Sequence, residues 1–306
     1  MQAPGSDDIH TLDRATSAFL SARPRLFGIA YRMLGTAAEA EDIVQEVWLR
    51  WQSTDRSVVQ DETAFLVTTT VRLSINLSQS ARSRRETYIG PWLPEPVDTA
   101  ADPTLGAERG EALELAVLIL LEKLSPNERA SYVLREAFDY SYQDVADILQ
   151  LSEANARQLV TRARKHVADE RRAQVSSSEH RRFLDAFISA AHKGDFTALK
   201  ELFTEDVVSI TDGGGVIGAA RVPVLGRERV AKFIAGFPSR FWGNTTLSWI
   251  HVNGQPSVLI VRDGAIIALA ALDASPEGIG QIFWVMNPAK LVRIAESLPT
   301  SGEDSE

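Results

Sequence analysis

The sequence predicts a multidomain chain, two all-α domains followed by an α+β domain, from three observations. Between residues 19 and 172 apolar side chains recur at the i, i+3, i+4, i+7 spacing of amphipathic helices, broken once by a proline-rich stretch near residue 90. Beyond residue 179 short β-rich runs appear, separated by turn residues. With 306 residues and 44% hydrophobic content, the chain can bury more than one core.

The first helix is expected over 19–34. Thr36 and Glu39 then form a capping box before a helix whose apolar stripe is Ala40, Ile43, Val44, Val47, Trp48 and Trp51. A third helix should run over 62–81, with Phe65, Leu66, Val71, Leu73, Ile75 and Leu77 as core candidates, into the basic run Arg82, Arg84, Arg85. Thr68 to Thr70 weaken its propensity. Prolines 91, 94, 96 and 103 and glycines 90 and 106 exclude a helix interior and mark a linker. Residues before proline are pushed towards extended geometry, so 92–96 should be a stiff strip carrying an exposed Trp92. Helices resume at 111, with an apolar helix over 112–124 and a full N-terminal signature at Ser125, Pro126, Asn127, Glu128.

Residues 141–172 combine a core pattern and a cationic face in one helix-turn-helix unit. Val145, Ile148 and Leu149 give one apolar stripe; Ala156, Leu159, Val160, Ala163 and Val167 give the second. Ser141 with Asp144 opens the first helix as a capping box and Ser152 caps the second, whose outward residues Arg157, Gln158, Thr161, Arg162, Arg164 and Lys165 suit a major groove. The turn between them lacks the glycine that commonly supplies a left-handed residue. Charge runs are usually solvated faces, but here the basic residues sit on the second helix while Asp144 and Asp147 sit on the first. The serines at 176–178 serve as hinge and cap for the next helix. Helices to about 192 and over 196–203 precede strands expected over 207–211, 247–252, 257–261, 265–272 and 279–286, with a hairpin at Asp263-Gly264. Helices over 227–237 and 288–298 complete an α+β domain whose curved antiparallel sheet wraps a cavity.

Composition excludes several classes. The formal net charge is −9, and even residues 112–175 carry nine basic against ten acidic side chains. DNA binding by the chain alone should therefore be weak and salt-sensitive, with a larger partner delivering it. With no cysteine and five scattered histidines, thiolate sites are excluded and neither a dedicated metal site nor a cofactor is expected. The longest apolar run, 265–272, is too short to span a bilayer, so no membrane association and a cytoplasmic location are expected.

AEAEDIVQEVWLRW at 38–51 resembles the sigma-2 helix with which bacterial extracytoplasmic-function sigma factors grip RNA polymerase, and 141–172 resembles their helix-turn-helix sigma-4 domain. The C-terminal block resembles a SnoaL-like, or NTF2-like, cone. The resemblance covers nearly the entire chain and implies domains at 1–87, 88–110 (linker), 111–175 and 176–298, with a disordered acidic tail at 299–306. It implies an alternative sigma factor that binds core RNA polymerase at the beta-prime clamp helices and initiates transcription at selected promoter DNA. Asp42, Gln45, Glu46 and Leu49 then fall on the polymerase face; Arg72, Asn76, Arg82, Arg84 and Arg85 on the part that reads the minus-ten element; and the Arg157 to Lys165 face on the minus-thirty-five element. Three motifs match a subgroup with an appended cone: WLPEP (Trp92, Leu93, Pro94, Glu95, Pro96), DGGG (Asp212, Gly213, Gly214, Gly215) and NPAKL, with Asn287, Pro288 and Leu291 as its contact residues. The implied role is regulation in cis, the cone working with the linker. Val216 stands where the subgroup has lysine and Ala289 where it has aspartate, which would remove a charge contact between these motifs and the linker.

SnoaL-like domains also include cyclases and isomerases, for which Asp212, His251, Asp263 and Asp273 are the available acids and bases. Asp263 is explained by its turn and Asp212 by its glycine loop, leaving His251 and Asp273 without an identified partner. No catalytic residue is therefore assigned. Two other readings stay open: a fused enzyme, and a one-component DNA-binding regulator with a ligand-sensing domain. A small apolar ligand in the cone is a candidate partner.

Overall fold

The computed structural model describes residues 6–100, 113–215, 218–236 and 239–298; the side chains of 6–14, 81–84, 86, 239 and 240 lie outside the described residues. The acidic tail at 299–306 and Val216 lie outside them too. The chain divides into two compact units: residues 1–84, 107–112 and 120–169 form one, and residues 85–106, 113–119 and 170–306 the other.

The first unit is helical. Helices α1 (Ser6–Leu34), α2 (Ala37–Ser53) and α3 (Glu62–Glu86) precede α5 (Pro126–Tyr132), α6 (Tyr142–Leu149) and α7 (Glu153–Glu170), while α4 (Leu115–Leu121), between α3 and α5 in sequence, lies mostly in the second unit. The stripe expected on α2 is its buried face, except that Trp48 is half-buried and tilts against Phe19 at 4.8 Å. Trp51 is fully buried, donates its indole N–H to the Ala15 carbonyl at 3.0 Å and lies 5.5 Å from the Phe65 ring. Thr36 is the N-cap of α2, but its side chain makes no capping hydrogen bond; its extended backbone alone starts the helix. Of the α3 candidates only Leu66 and Val71 are buried, while Phe65, Leu73, Ile75 and Leu77 are half-buried. Arg129 of α5 is buried in this unit and donates to the Met33 carbonyl at 2.7 Å, satisfying one of the orphan acceptors at the end of α1.

The expected helix over 112–124 is shorter, Leu115–Leu121, and Leu124 is followed by the Ser125–Glu128 capping box. After α5 the helix widens into a π turn over Val133–Ala137, which shifts the side-chain register ahead of α6.

The second unit holds α8 (Ser177–Lys193), α9 (Phe196–Leu202), β1 (Phe203–Asp212), β2 (Val224–Leu225), α10 (Arg227–Ala235), α11 (Ser239–Trp242), β3 (Thr245–Val252), β4 (Gln255–Arg262), β5 (Ala265–Ser275), β6 (Gly278–Val285) and α12 (Pro288–Ser297). Its six-stranded sheet has the order β2-β1-β6-β5-β4-β3. Not all of it is antiparallel as expected: β1 and β6 run parallel, because the chain between them makes a crossover rather than a hairpin. Asp263 (φ 50°) and Gly264 (φ 78°) make the anticipated two-residue turn, and Asn253 (φ 54°) with Gly254 (φ 78°) makes an unforeseen second one. Both sheet faces are covered, which explains why β5 reads as a continuous apolar run. Ala268, Ala270 and Leu272 join Phe187, Leu199, Ile234 and Trp284 on the helix side. Leu269, Ala271 and Phe283 pack on the other side with Leu291 and Ile294 of α12, and with Leu93 and Leu115.

Candidate nucleic-acid interface and linker clasp

The helix-turn-helix in the first unit is built by local caps. Ser141 accepts the Asp144 N–H at 3.1 Å and Asp144 accepts the Ser141 N–H at 3.0 Å, so the capping box opens α6 as anticipated. The α6 C-terminus closes with Gln150 in the left-handed region, φ 56°, a glycine-type position held by a side-chain-bearing residue. Ser152 then accepts the Asn155 N–H at 3.3 Å at the start of α7. Ala156, Val160, Ala163 and Val167 bury one face of α7, which leaves Arg157, Gln158, Thr161, Arg162, Arg164 and Lys165 exposed on the other.

Three arginines of that face are already paired. Arg157 meets Glu153 at 2.5 Å, Arg162 meets Glu128 at 3.5 Å, and Arg164 meets Glu136 at 2.6 Å. The guanidinium of Arg157 also lies 4.4 Å from the Tyr142 ring centroid. On α2, Asp42, Gln45 and Leu49 are exposed on one face, and Glu46 pairs with Arg50 at 2.9 Å. Arg72 and Asn76 are exposed on α3, whereas the side chains of Arg82 and Arg84 lie outside the described residues.

The second unit holds the linker in a clasp. Leu93, Pro94, Glu95, Pro96 and Val97 are all buried, so the strip is extended as expected but not free. Trp92 is half-buried rather than exposed: Arg85 lies 3.7 Å from its ring centroid and the Lys290 ammonium 4.4 Å from it. At the centre is Asp212, wholly buried. It accepts the Leu93 N–H at 2.8 Å, the Tyr88 hydroxyl, and the Lys290 ammonium at 2.6 Å. Lys290 donates as well to the Leu93 carbonyl. Asn287 N-caps α12 through the Ala289 N–H at 3.0 Å and donates its amide to the Tyr88 hydroxyl at 2.7 Å. Pro288, the first residue of α12, is exposed, and Leu291 is buried.

The glycines of the DGGG loop allow this approach. Gly214 has φ 53°, and a Cβ there would stand 2.5 Å from the Asn287 side chain. Gly213 is buried beside Asp212, and Gly215, at φ 88°, is exposed. Further along, Val97 and Asn253 exchange hydrogen bonds: the Val97 N–H reaches the Asn253 side chain at 3.1 Å and the Asn253 N–H reaches the Val97 carbonyl at 3.0 Å. Ser297 donates to Asp98 at 3.1 Å.

Burial and the Asp212 carboxylate push the Tyr88 hydroxyl far above the usual phenol range. Burial pulls Lys290 down from the usual lysine value, and Asp212 partly restores it. Lys290 makes a charge contact of its own, joining the near-terminal motif to the loop motif and to the linker. Nothing in the sequence marks Lys290 as a buried partner of Asp212, although the lysine stands within NPAKL.

Comparison with known proteins places both halves. Family models described as Sigma-70 region 2 and Sigma-70 region 4 match residues 18–85 and 114–167. The chain is 37% identical to the ECF RNA polymerase sigma factor SigJ of Mycobacterium tuberculosis, across 83% of this chain and 89% of that one. It is 32% identical to the probable ECF RNA polymerase sigma factor SigI of the same organism, across 91% and 95%. The crystal structure of M. tuberculosis SigJ superposes with a TM-score of 0.72 at 32% identity, covering 91% of this chain and 98% of that one.

Proposed function

Because the chain belongs to the extracytoplasmic-function RNA polymerase sigma factors, we propose that its C-terminal unit regulates promoter-directed transcription in cis by holding the linker. The chain is an alternative sigma factor directing transcription, with its sigma regions followed by a mixed-sheet domain. The observation that carries the regulatory reading is the buried Asp212–Lys290 pair closed on the Leu93 backbone. A linker held by its own N–H and C=O is fixed in position, which an incidental apolar contact would not achieve.

In this reading core RNA polymerase is engaged by the exposed face of α2 through Asp42, Gln45, Glu46 and Leu49, docked on the beta-prime clamp helices. Arg72 and Asn76, together with Arg82 and Arg84, serve the minus-ten element, and the Arg157 to Lys165 face serves the minus-thirty-five element. Arg85 has a second role, since its guanidinium covers Trp92. The functional division proposed is 1–87, 88–110, 111–175 and 176–298, and the site of action is the cytoplasm, where core polymerase works. The reading is non-enzymatic. His251 lies on β3 and Asp273 on β5 with β4 between them, roughly 10 Å apart across two strand spacings, too far for an acid–base pair. Phe187, Trp242 and Trp284 pack together on the helix side of the sheet.

The polymerase face is tested by charge reversal. Asp42→Lys with Glu46→Lys is expected to weaken binding to core polymerase at least tenfold in fluorescence anisotropy, about 1.4 kcal/mol, with the fold unchanged by circular dichroism. Unchanged binding would overturn the interface.

A further inference from the structure

One aromatic side chain gathers the cations of the DNA-facing surface. Tyr142, the first residue of α6, is half-buried, and its ring has the Arg135 guanidinium 4.9 Å from its centroid and the Arg157 guanidinium 4.4 Å away. Its hydroxyl lies 3.5 Å from Nη1 of Arg164. Arg157 and Arg164 are seven residues apart, two turns of α7, and so project on the same side of the helix. Glu136, in the π turn, accepts from both Nε and Nη2 of Arg164, at 2.9 and 2.6 Å, a one-sided fork that fixes the guanidinium plane. Without these contacts each arginine would sample many rotamers, and base discrimination depends on presenting a planar fork in one orientation.

We infer that Tyr142 and Glu136 are positioning residues that orient Arg157 and Arg164 before DNA arrives and thereby set how strictly the upstream promoter element is discriminated. This rests on the reading of the α7 face as the minus-thirty-five contact. Tyr142 works through its ring face, a platform for two cations, and Glu136 by competition: a phosphate must displace its carboxylate to claim Arg164. Loosely matched DNA gains too little elsewhere to drive that exchange, whereas a matched site gains base contacts as well.

The test uses holoenzyme assembled from the full chain and core polymerase. Wild-type holoenzyme first selects its preferred upstream element from a duplex library randomised there. Affinities for that duplex and for one with the element scrambled are then measured across a salt series. Tyr142→Leu, which keeps bulk but removes the ring, is expected to lower the matched-to-scrambled ratio about fivefold, and Tyr142→Phe to restore it. Glu136→Gln should tighten binding to the scrambled duplex and steepen the salt dependence by about one phosphate contact, a slope change of roughly 0.9. Full discrimination retained by Tyr142→Leu, or an unchanged salt slope in Glu136→Gln, overturns the inference. Arg164→Ala separates the two levels. If it alters binding to neither duplex, the assignment of the face itself fails; if it does and the Tyr142 and Glu136 variants do not, only the positioning role fails.

Discussion

Lys290 keeps its ammonium inside the C-terminal unit, where an isolated charge would be untenable, because the Asp212 carboxylate, the Leu93 carbonyl and the faces of Tyr88 and Trp92 surround it. Such a pair contributes less through its attraction than through what remains when one member is removed. Lys290→Met leaves a buried carboxylate and Asp212→Asn a buried ammonium, so each should destabilise the unit by about 3 kcal/mol. Combining them removes both charges, and the double variant is expected to lose much less than the sum. Urea denaturation of the four proteins measures this coupling, and costs that simply add would show that the pair is not a unit. The sequence made Asp212 legible through its glycine loop but not Lys290. A lysine four residues into a terminal helix motif reads as solvated, and only tertiary packing turns it inward.

The helix α8 docks on the sheet through His180, which is 4% exposed and within 3.1 Å of the Leu272 carbonyl at Nε2. That carbonyl requires a donor, so Nε2 carries a proton in either charge state of the ring. Burial lowers its pKa below the ordinary 6.5, and the Leu272 contact only partly opposes this. A base with a depressed folded pKa contributes stability above 6.5 that is lost as pH falls towards the folded value, by at most about 1.4 kcal/mol per pH unit. Glu114 and Asp273, both raised by burial, and Arg171, Arg172, Gln174 and Gln255 surround the same region. The two acids act in the opposite sense, since raised carboxyls stabilise the fold as pH falls. The histidine contribution is isolated by difference: the stability advantage of wild type over His180→Gln should shrink between pH 6.5 and 5. A constant difference would mean that the ring does not titrate. At this scale caps and hairpins were largely legible, as Ser125, Ser141, Ser176 and Asp263-Gly264 all form where local chemistry places them. What was hidden is set by long-range packing: the π turn at Val133–Ala137, the left-handed Gln150 that does a glycine's work, and the parallel β1–β6 pair.

Across the whole molecule, the C-terminal unit contains more than the appended domain. Linker residues 85–100, residues 113–119 and the last residue of α7, Glu170, belong to it. Asn253 donates to the Leu113 carbonyl at 2.9 Å, Leu115 packs beside Leu93 on the sheet, and Arg171 pairs with Glu114 at 3.5 Å. Ending the chain at residue 175 therefore does not merely delete a domain. It strips the cover from Leu93, Val97, Leu113 and Leu115, each buried in the intact chain, at about 2 kcal/mol of burial per leucine. The freed segments can no longer fix the linker's path, and since the chain carries a net charge of −9, the arginines proposed to contact DNA would depend on polymerase to hold them there rather than on bulk attraction. In vitro transcription with core polymerase should then give the truncated chain a different promoter activity from the full chain. The full-length Asp212→Asn/Lys290→Met variant, which loosens the clasp while retaining the domain, should move activity in the same direction. Equal activity of full and truncated chains would end the case for regulation in cis. A change on truncation without one in the clasp variant would instead locate the control elsewhere in the C-terminal unit, away from Asp212 and Lys290.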